Sequence, residues 1–162
     1  MDATIMRSTT LLATRLTALY PQFQFQQGES FRWSPSVATI FYEDSDDEAS
    51  LLHELAHALL GHTSYKKDLE LIGMERDAWQ HARELAPKFH VELNEDSIED
   101  ALDTYRDWLH ARSQCPTCAA TGVQAHSHTY RCISCETSWR VNEARLCGLK
   151  RYVIAPPKKH TV

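Results

Sequence analysis

The sequence predicts an α+β chain: a helical body with a small antiparallel sheet, followed by a small cysteine-rich module. Three observations lead there. Helical and strand-like periodicities follow one another up to about residue 112, with no repeated βα unit. The charge changes sign near Ser113, and two C-x-x-C pairs fall in the segment beyond it. The expected organisation is a body over residues 1–112, a module over 113–141 and a basic C-terminal tail over 142–162.

The body opens on "STTLLATRLTALY", residues 8–20, whose Leu12, Leu16 and Leu19 share a helical face and which Pro21 ends. "FQFQ" at 23–26 alternates as a strand does, and Phe31–Trp33 and Val37–Tyr42 read as two more strands after the turn residues "GES". Ser45 and Glu48 have capping-box spacing, so a helix should start near Asp46, and Gly61 is placed to stop it. A third helix fits Asp68–Ala86, with Pro87 as its end. A fourth starts near Asn94 and should bury Ile98, Ala101, Leu102, Tyr105 and Leu109.

Composition bounds the function. With 43% hydrophobic and 24% charged residues the chain is globular, with enough apolar material for one core. No apolar run reaches the roughly 18 residues of a membrane span, and the N-terminal stretch lacks the pattern of a signal peptide. A cytoplasmic location is therefore expected, in which five cysteines are thiols or metal ligands rather than disulfides. Five scattered glycines exclude a phosphate-binding loop or dinucleotide fingerprint. Residues 1–112 carry 10 Lys+Arg against 20 Asp+Glu, whereas residues 113–162 carry 7 against 2. Such a basic end can contact DNA or an acidic partner.

The second helix contains His53-Glu54-Leu55-Ala56-His57. Histidines four apart lie about 40° apart around a helix, so both imidazoles reach one ion. A glutamate next to the first histidine then stands as the general base, which is the zincin arrangement. Leu51, Leu52, Leu55, Ala58, Leu59 and Leu60 make this helix apolar on most sides. Burying two histidines and an acid there costs several kcal/mol unless something such as a metal satisfies them. The metzincin extension is excluded, because Leu60 and Thr63 occupy its glycine and histidine positions. His62 lies about 140° round from His57 and past Gly61, too far to share the ion; it reads as a helix-end residue favoured by the dipole, with support of a metal ligand as the alternative role. In the third helix Glu75 shares its face with Leu71, Ala78, Ala82 and Leu85, whereas Glu70 shares its face with Asp77, His81 and Glu84. A carboxylate among core residues needs a partner, so Glu75 is the expected third ligand. Two histidines and a glutamate leave an open position, as catalytic zinc sites do.

"HELAHALLGH" followed by "ERDAWQHA" resembles the ImmA/IrrE family of metallopeptidases over roughly residues 10–110. The resemblance matches His53 and His57 to the metal histidines, Glu54 to the catalytic glutamate and Glu75 to the third ligand, with Trp79 where many members carry asparagine. It implies a zincin-like body and an intracellular protease, often encoded on mobile elements, that cleaves a transcriptional repressor.

In the second module, "CPTC" at 115–118 and "CISC" at 132–135 are two knuckles separated by thirteen residues. Cys115, Cys118, Cys132 and Cys135 together make a tetrahedral zinc shell, with Gly122 expected in a turn and Trp139 packed on the resulting ribbon or against the body. His126 and His128 are spare nitrogen donors, and Cys147 is a free thiol. Arg131, Arg140, Arg145, Lys150 and Arg151 are expected on one surface.

The expected protein is thus a two-zinc endopeptidase, with strand Val37–Tyr42 aligning an extended peptide by edge pairing and the ribbon bringing the enzyme to a DNA-bound regulator. Similarity to SprT-like proteases, which also pair HExxH with a ribbon, is a second reading. Those enzymes take a third histidine shortly beyond the helix, and none occurs here between His62 and His81. A third reading is a non-catalytic DNA- or protein-binding adaptor in which Glu54 is dispensable.

Overall fold

The structure, a computed structural model, describes residues 7–144 and 147–155; Arg145 and the end of the basic tail, residues 156–162, lie outside them. The chain divides into two compact units, Met1–Ser64 with Gly73–Glu99, and Tyr65–Ile72 with Asp100–Val162. The architecture is α+β, with four helices and two small sheets among the described residues. None of these helices is long and apolar enough to cross a membrane.

In the first unit, helix α1 (Ser8–Leu19) buries Thr9, Leu12, Ala13 and Leu16. Leu19, expected on the same face, is 61% exposed, because it sits in the last turn beyond the reach of the core. Strands β1 (Gln24–Gln27), β2 (Arg32–Ser34) and β3 (Thr39–Tyr42) form a sheet in the order β1-β3-β2. It is mixed, not antiparallel: β3 runs parallel to β1 and antiparallel to β2. The strand expected to pair with a peptide at an edge, β3, is therefore the central one, and β1 and β2 are the edges. Its burial explains the choice, since Thr39, Ile40 and Tyr42 are all buried whereas β1 has no buried residue.

Helix α2 (Glu48–Leu59) follows, and its cap is Asp47, whose side chain accepts from the Ser50 amide at 3.0 Å. The expected cap, Ser45, sits ahead of the helix: its hydroxyl accepts from the Asp47 amide at 3.2 Å, and its carbonyl takes hydrogen bonds from the Thr9 amide and hydroxyl. Gly61, at φ +67, turns the chain after α2 as expected. Helix α3 (Asp68–Phe89) runs through Pro87 instead of ending before it. A proline this near the C-terminus removes one hydrogen bond, and buried Ala86, Phe89 and Val91 keep the last turn on the core. His90 at φ 60 closes it, with the Val91 amide donating to the Ala86 carbonyl at 3.0 Å. Helix α4 (Glu95–Ser113) is capped by Asn94, which accepts from the Ser97 amide at 3.1 Å. It buries Ile98, Leu102 and Trp108, while Ala101, Tyr105 and Leu109 are only partly covered.

The second unit is built on β4 (Gly122–His126), β5 (Thr129–Cys132), β6 (Ser138–Val141) and β7 (Arg151–Ile154), an antiparallel sheet in that order. Its core is Cys115, Tyr130, Cys132, Trp139 and Val141. Trp139 is fully buried, and its indole N–H donates to the Arg112 carbonyl at 2.9 Å. Below it, Asp68 accepts from Arg112 Nε at 2.6 Å and from the Tyr130 hydroxyl at 2.5 Å, so the buried guanidinium and carboxylate neutralise each other. The expected basic surface is split. Arg140 pairs with Tyr152 and Val141 with Arg151, and neighbours on a strand point to opposite faces, so Arg140 and Arg151 lie on opposite sides of the sheet.

Gly122 does not serve a turn. It lies in β4 where an added Cβ would strike the Trp139 ring and come within 2.8 Å of the Arg131 carbonyl. Gly122→Ala is therefore expected to destabilise this sheet by about 1–3 kcal/mol, the usual penalty of overpacking. Thermal unfolding followed by tryptophan fluorescence checks it. A melting temperature equal to that of the parent would show that the ring shifts aside freely.

Candidate metal centres

Helix α2 is held on the core by Leu51, Leu52, Leu55 and Ala56, each fully buried. That packing puts His53 and His57 inside, at 7% and 8% exposure, and α3 presents Glu75 to them at 7%. The three residues expected to share an ion do converge. His53 Nε2 lies 3.1 Å from Glu75 Oε2 and 3.1 Å from His57 Nε2, and the third edge, from His57 Nε2 to Glu75 Oε2, is 3.5 Å. Tetrahedral zinc with bonds of 2.0–2.1 Å to nitrogen and oxygen needs ligand-to-ligand edges of about 3.3 Å. The triangle meets that requirement. One proton can bridge only one of its edges, whereas a single cation satisfies all three lone pairs.

Electrostatics agree with the geometry. Burial pushes the Glu75 carboxyl up, but hydrogen bonds from His53 and His57 outweigh it and bring the pKa down to about 2. Glu75 is thus an ionised carboxylate throughout the neutral range. Glu70, the rejected candidate, is exposed and accepts from the Lys66 amide, while His81 pairs with Glu84 on the solvated side of α3. The His53 ring stacks on Trp79 with centroids 4.1 Å apart. Trp79 thus sets the orientation of the His53 ring by packing.

Between Leu51 and Ala58 Glu54 is the one position that is partly exposed, the others being buried. Its Oε2 accepts from the main-chain N–H of Trp33 at 2.6 Å, which aims the carboxylate toward the outer edge of β2. Two contacts had no signal in the sequence pattern. The Trp33 indole N–H donates to the His62 carbonyl at 2.8 Å, and His62 Nδ1 lies 2.9 Å from His57 Nδ1. Burial and the neighbouring His57 keep the His62 imidazole below its usual pKa.

In the second unit, Cys115, Cys118, Cys132 and Cys135 also converge. Cys115 Sγ is 3.6 Å from Cys135 Sγ, and Cys118 Sγ is 3.5 Å from Cys132 Sγ. Zinc–sulfur bonds of 2.3 Å in a tetrahedron call for about 3.8 Å, close to both. The knuckles are alike. Thr117 and Ser134 amides each donate to the first sulfur of their pair at 3.4 Å, and Ala119 and Glu136 follow at φ 62 and 61. Packing four sulfurs together spreads their acidities. Hydrogen bonding with Thr137 brings Cys135 down to about 6, whereas for Cys118 a backbone hydrogen bond from Ala120 that lowers it is outweighed by its sulfur neighbours, which push it up to about 12. A divalent cation is what would let all four ionise. His126 is exposed and His128 faces Arg112, so neither nitrogen joins the cluster, and Cys147 is exposed and outside it. Both clusters are compatible with zinc.

Comparison of the chain with models of known families, with curated proteins and with solved structures found no match.

Proposed function

We propose that this chain is a zinc-dependent endopeptidase of the ImmA/IrrE kind with a zincin-like body, in which His53, His57 and Glu75 hold the metal, Glu54 is the general base and the four cysteines hold a structural zinc. The observation that carries the reading is Glu54: a half-exposed carboxylate next in sequence to a ligand, on an otherwise buried stretch of helix. A structural site would have no use for it. Zinc held by two imidazoles and a carboxylate supplies an acidified water and a polarised carbonyl. Glu54 would be the base toward the attacking water and would return the proton to the leaving amine. The Trp33 amide orients the carboxylate meanwhile, and His53, held flat on Trp79, keeps its Nε2 aimed inward. The outer edge of β2, where that amide lies, is the place for an extended substrate to run past the base.

The substrate of such an enzyme is a protein, with a DNA-bound repressor as the class the resemblance suggests. Arg131 and Arg140, on the exposed face of the ribbon, would supply DNA contact. Glu75 as the third ligand atom favours this reading over the SprT-like one, which needs a histidine there. To test it, wild type and Glu54→Gln, both zinc-loaded, are incubated with a cell extract, and newly formed protein N-termini are identified by mass spectrometry. Termini produced by the wild type alone and suppressed by chelator are expected. The same set from both proteins, or none from either, would sink the peptidase.

A further inference from the structure

We infer that His62 is a positioning residue for the metal ligand His57, and that Trp33 holds it in place. The inference rests on a metal at His53, His57 and Glu75, and extends that reading to residues outside the ligand set. His57 turns its Nε2 toward the other two ligand atoms. A ring that gives its Nε2 lone pair to a cation carries its proton on Nδ1. That nitrogen lies 2.9 Å from His62 Nδ1, and the rings meet edge-on at 67° rather than stacking. One proton arrangement fits. His57 Nδ1–H donates, neutral His62 accepts at Nδ1, and its own proton is on Nε2. The contact sits on the side of His57 away from the triangle, so His62 acts through the ligand and not as one.

Three features place His62 there, against its position about 140° round an ideal helix. Gly61 at φ +67 turns the chain back, and the His62 amide donates to the His57 carbonyl at 3.0 Å, the closing bond of the reversed last turn. The Trp33 indole then pins the His62 carbonyl from β2. The same tryptophan orients Glu54 through its main-chain N–H, so one residue of an edge strand serves both the base and the support of a ligand. His53 has no equivalent. Among the described residues nothing hydrogen-bonds its buried Nδ1, and on that side the ring is held by stacking on Trp79. His57 is therefore the ligand whose tautomer is fixed by a hydrogen bond.

The test is zinc affinity in the full chain, by competition with a chromophoric chelator, with the cysteine site as internal reference. His62→Ala should weaken one zinc by about 10–100-fold, the usual effect of losing such a partner, and leave the other unchanged. His62→Gln, whose amide oxygen can accept from His57, should recover part of the loss. Trp33→Phe, which keeps a ring against Phe23 but removes the indole donor, should move affinity in the same direction as His62→Ala. Unchanged affinity in His62→Ala would overturn the inference. So would a His62→Gln protein no better than His62→Ala; if the alanine variant does not fold, affinity in the glutamine variant as low as in His53→Ala would do the same. A wild type that binds only one zinc, unaffected by His53→Ala, would instead remove the metal reading beneath it.

Discussion

Changing Glu54 to Gln is expected to leave two zinc ions per chain and to lower peptide-bond cleavage by about 10²–10⁴-fold, the range for loss of a general acid–base group. That corresponds to about 3–5 kcal/mol of transition-state stabilisation. The amide has nearly the shape of the carboxylate and can still accept from the Trp33 N–H through its oxygen. Position is kept, and what goes is the ability to take a proton. The check pairs metal content with cleavage rate at a site identified from the wild type. Metal retained with activity within about twofold of wild type would assign Glu54 to structure. His53→Ala makes the complementary variant, losing both activity and one zinc while the cysteine site stays full.

The second large effect concerns the ribbon. Cys115→Ser is expected to release one zinc and unfold the sheet β4 to β7. Five buried residues form the core there, and two of them, Cys115 and Cys132, are in the sulfur cluster. A core of that size rarely sustains a fold by itself. Structural zinc in small finger peptides contributes about 10–16 kcal/mol, which is as much as the whole stability of a typical domain. Trp139, now fully buried, should shift its emission to the red, and strand signal should fall in far-ultraviolet circular dichroism. An unshifted Trp139 with a single zinc remaining would show that hydrophobic contacts alone hold the sheet.

Some of this molecule was readable along one dimension, and the reason is locality. Histidines four apart on a helix must share a face, and each knuckle puts two sulfurs within a single turn of chain. The cost of burying a carboxylate singles out Glu75 over Glu70 from the sequence, because helical periodicity tells which face each one shares. The ends of α2 and α4 followed from Gly61 and Asn94 in the same way. Where two local signals competed, the reading slipped. Ser45 and Asp47 both suit a cap, and the contact of Ser45 with Thr9, 36 positions away, decided between them.

What the sequence by itself determined is therefore the donor chemistry and its spacing: two histidines, two carboxylates and four thiols, each pre-sorted onto a helix face or a knuckle. The tertiary structure decided everything that depends on residues far apart in the chain. It placed β3 between its neighbours and parallel to β1, and laid Gly122 under the Trp139 ring. It also joined Asp68 to Arg112 and Tyr130, and set Trp33 against both Glu54 and His62. A hydrogen bond or ring contact across 20 or more residues leaves no period in the sequence. Such contacts hold His57, Glu54 and the core of the second unit in place, and only the folded chain displays them.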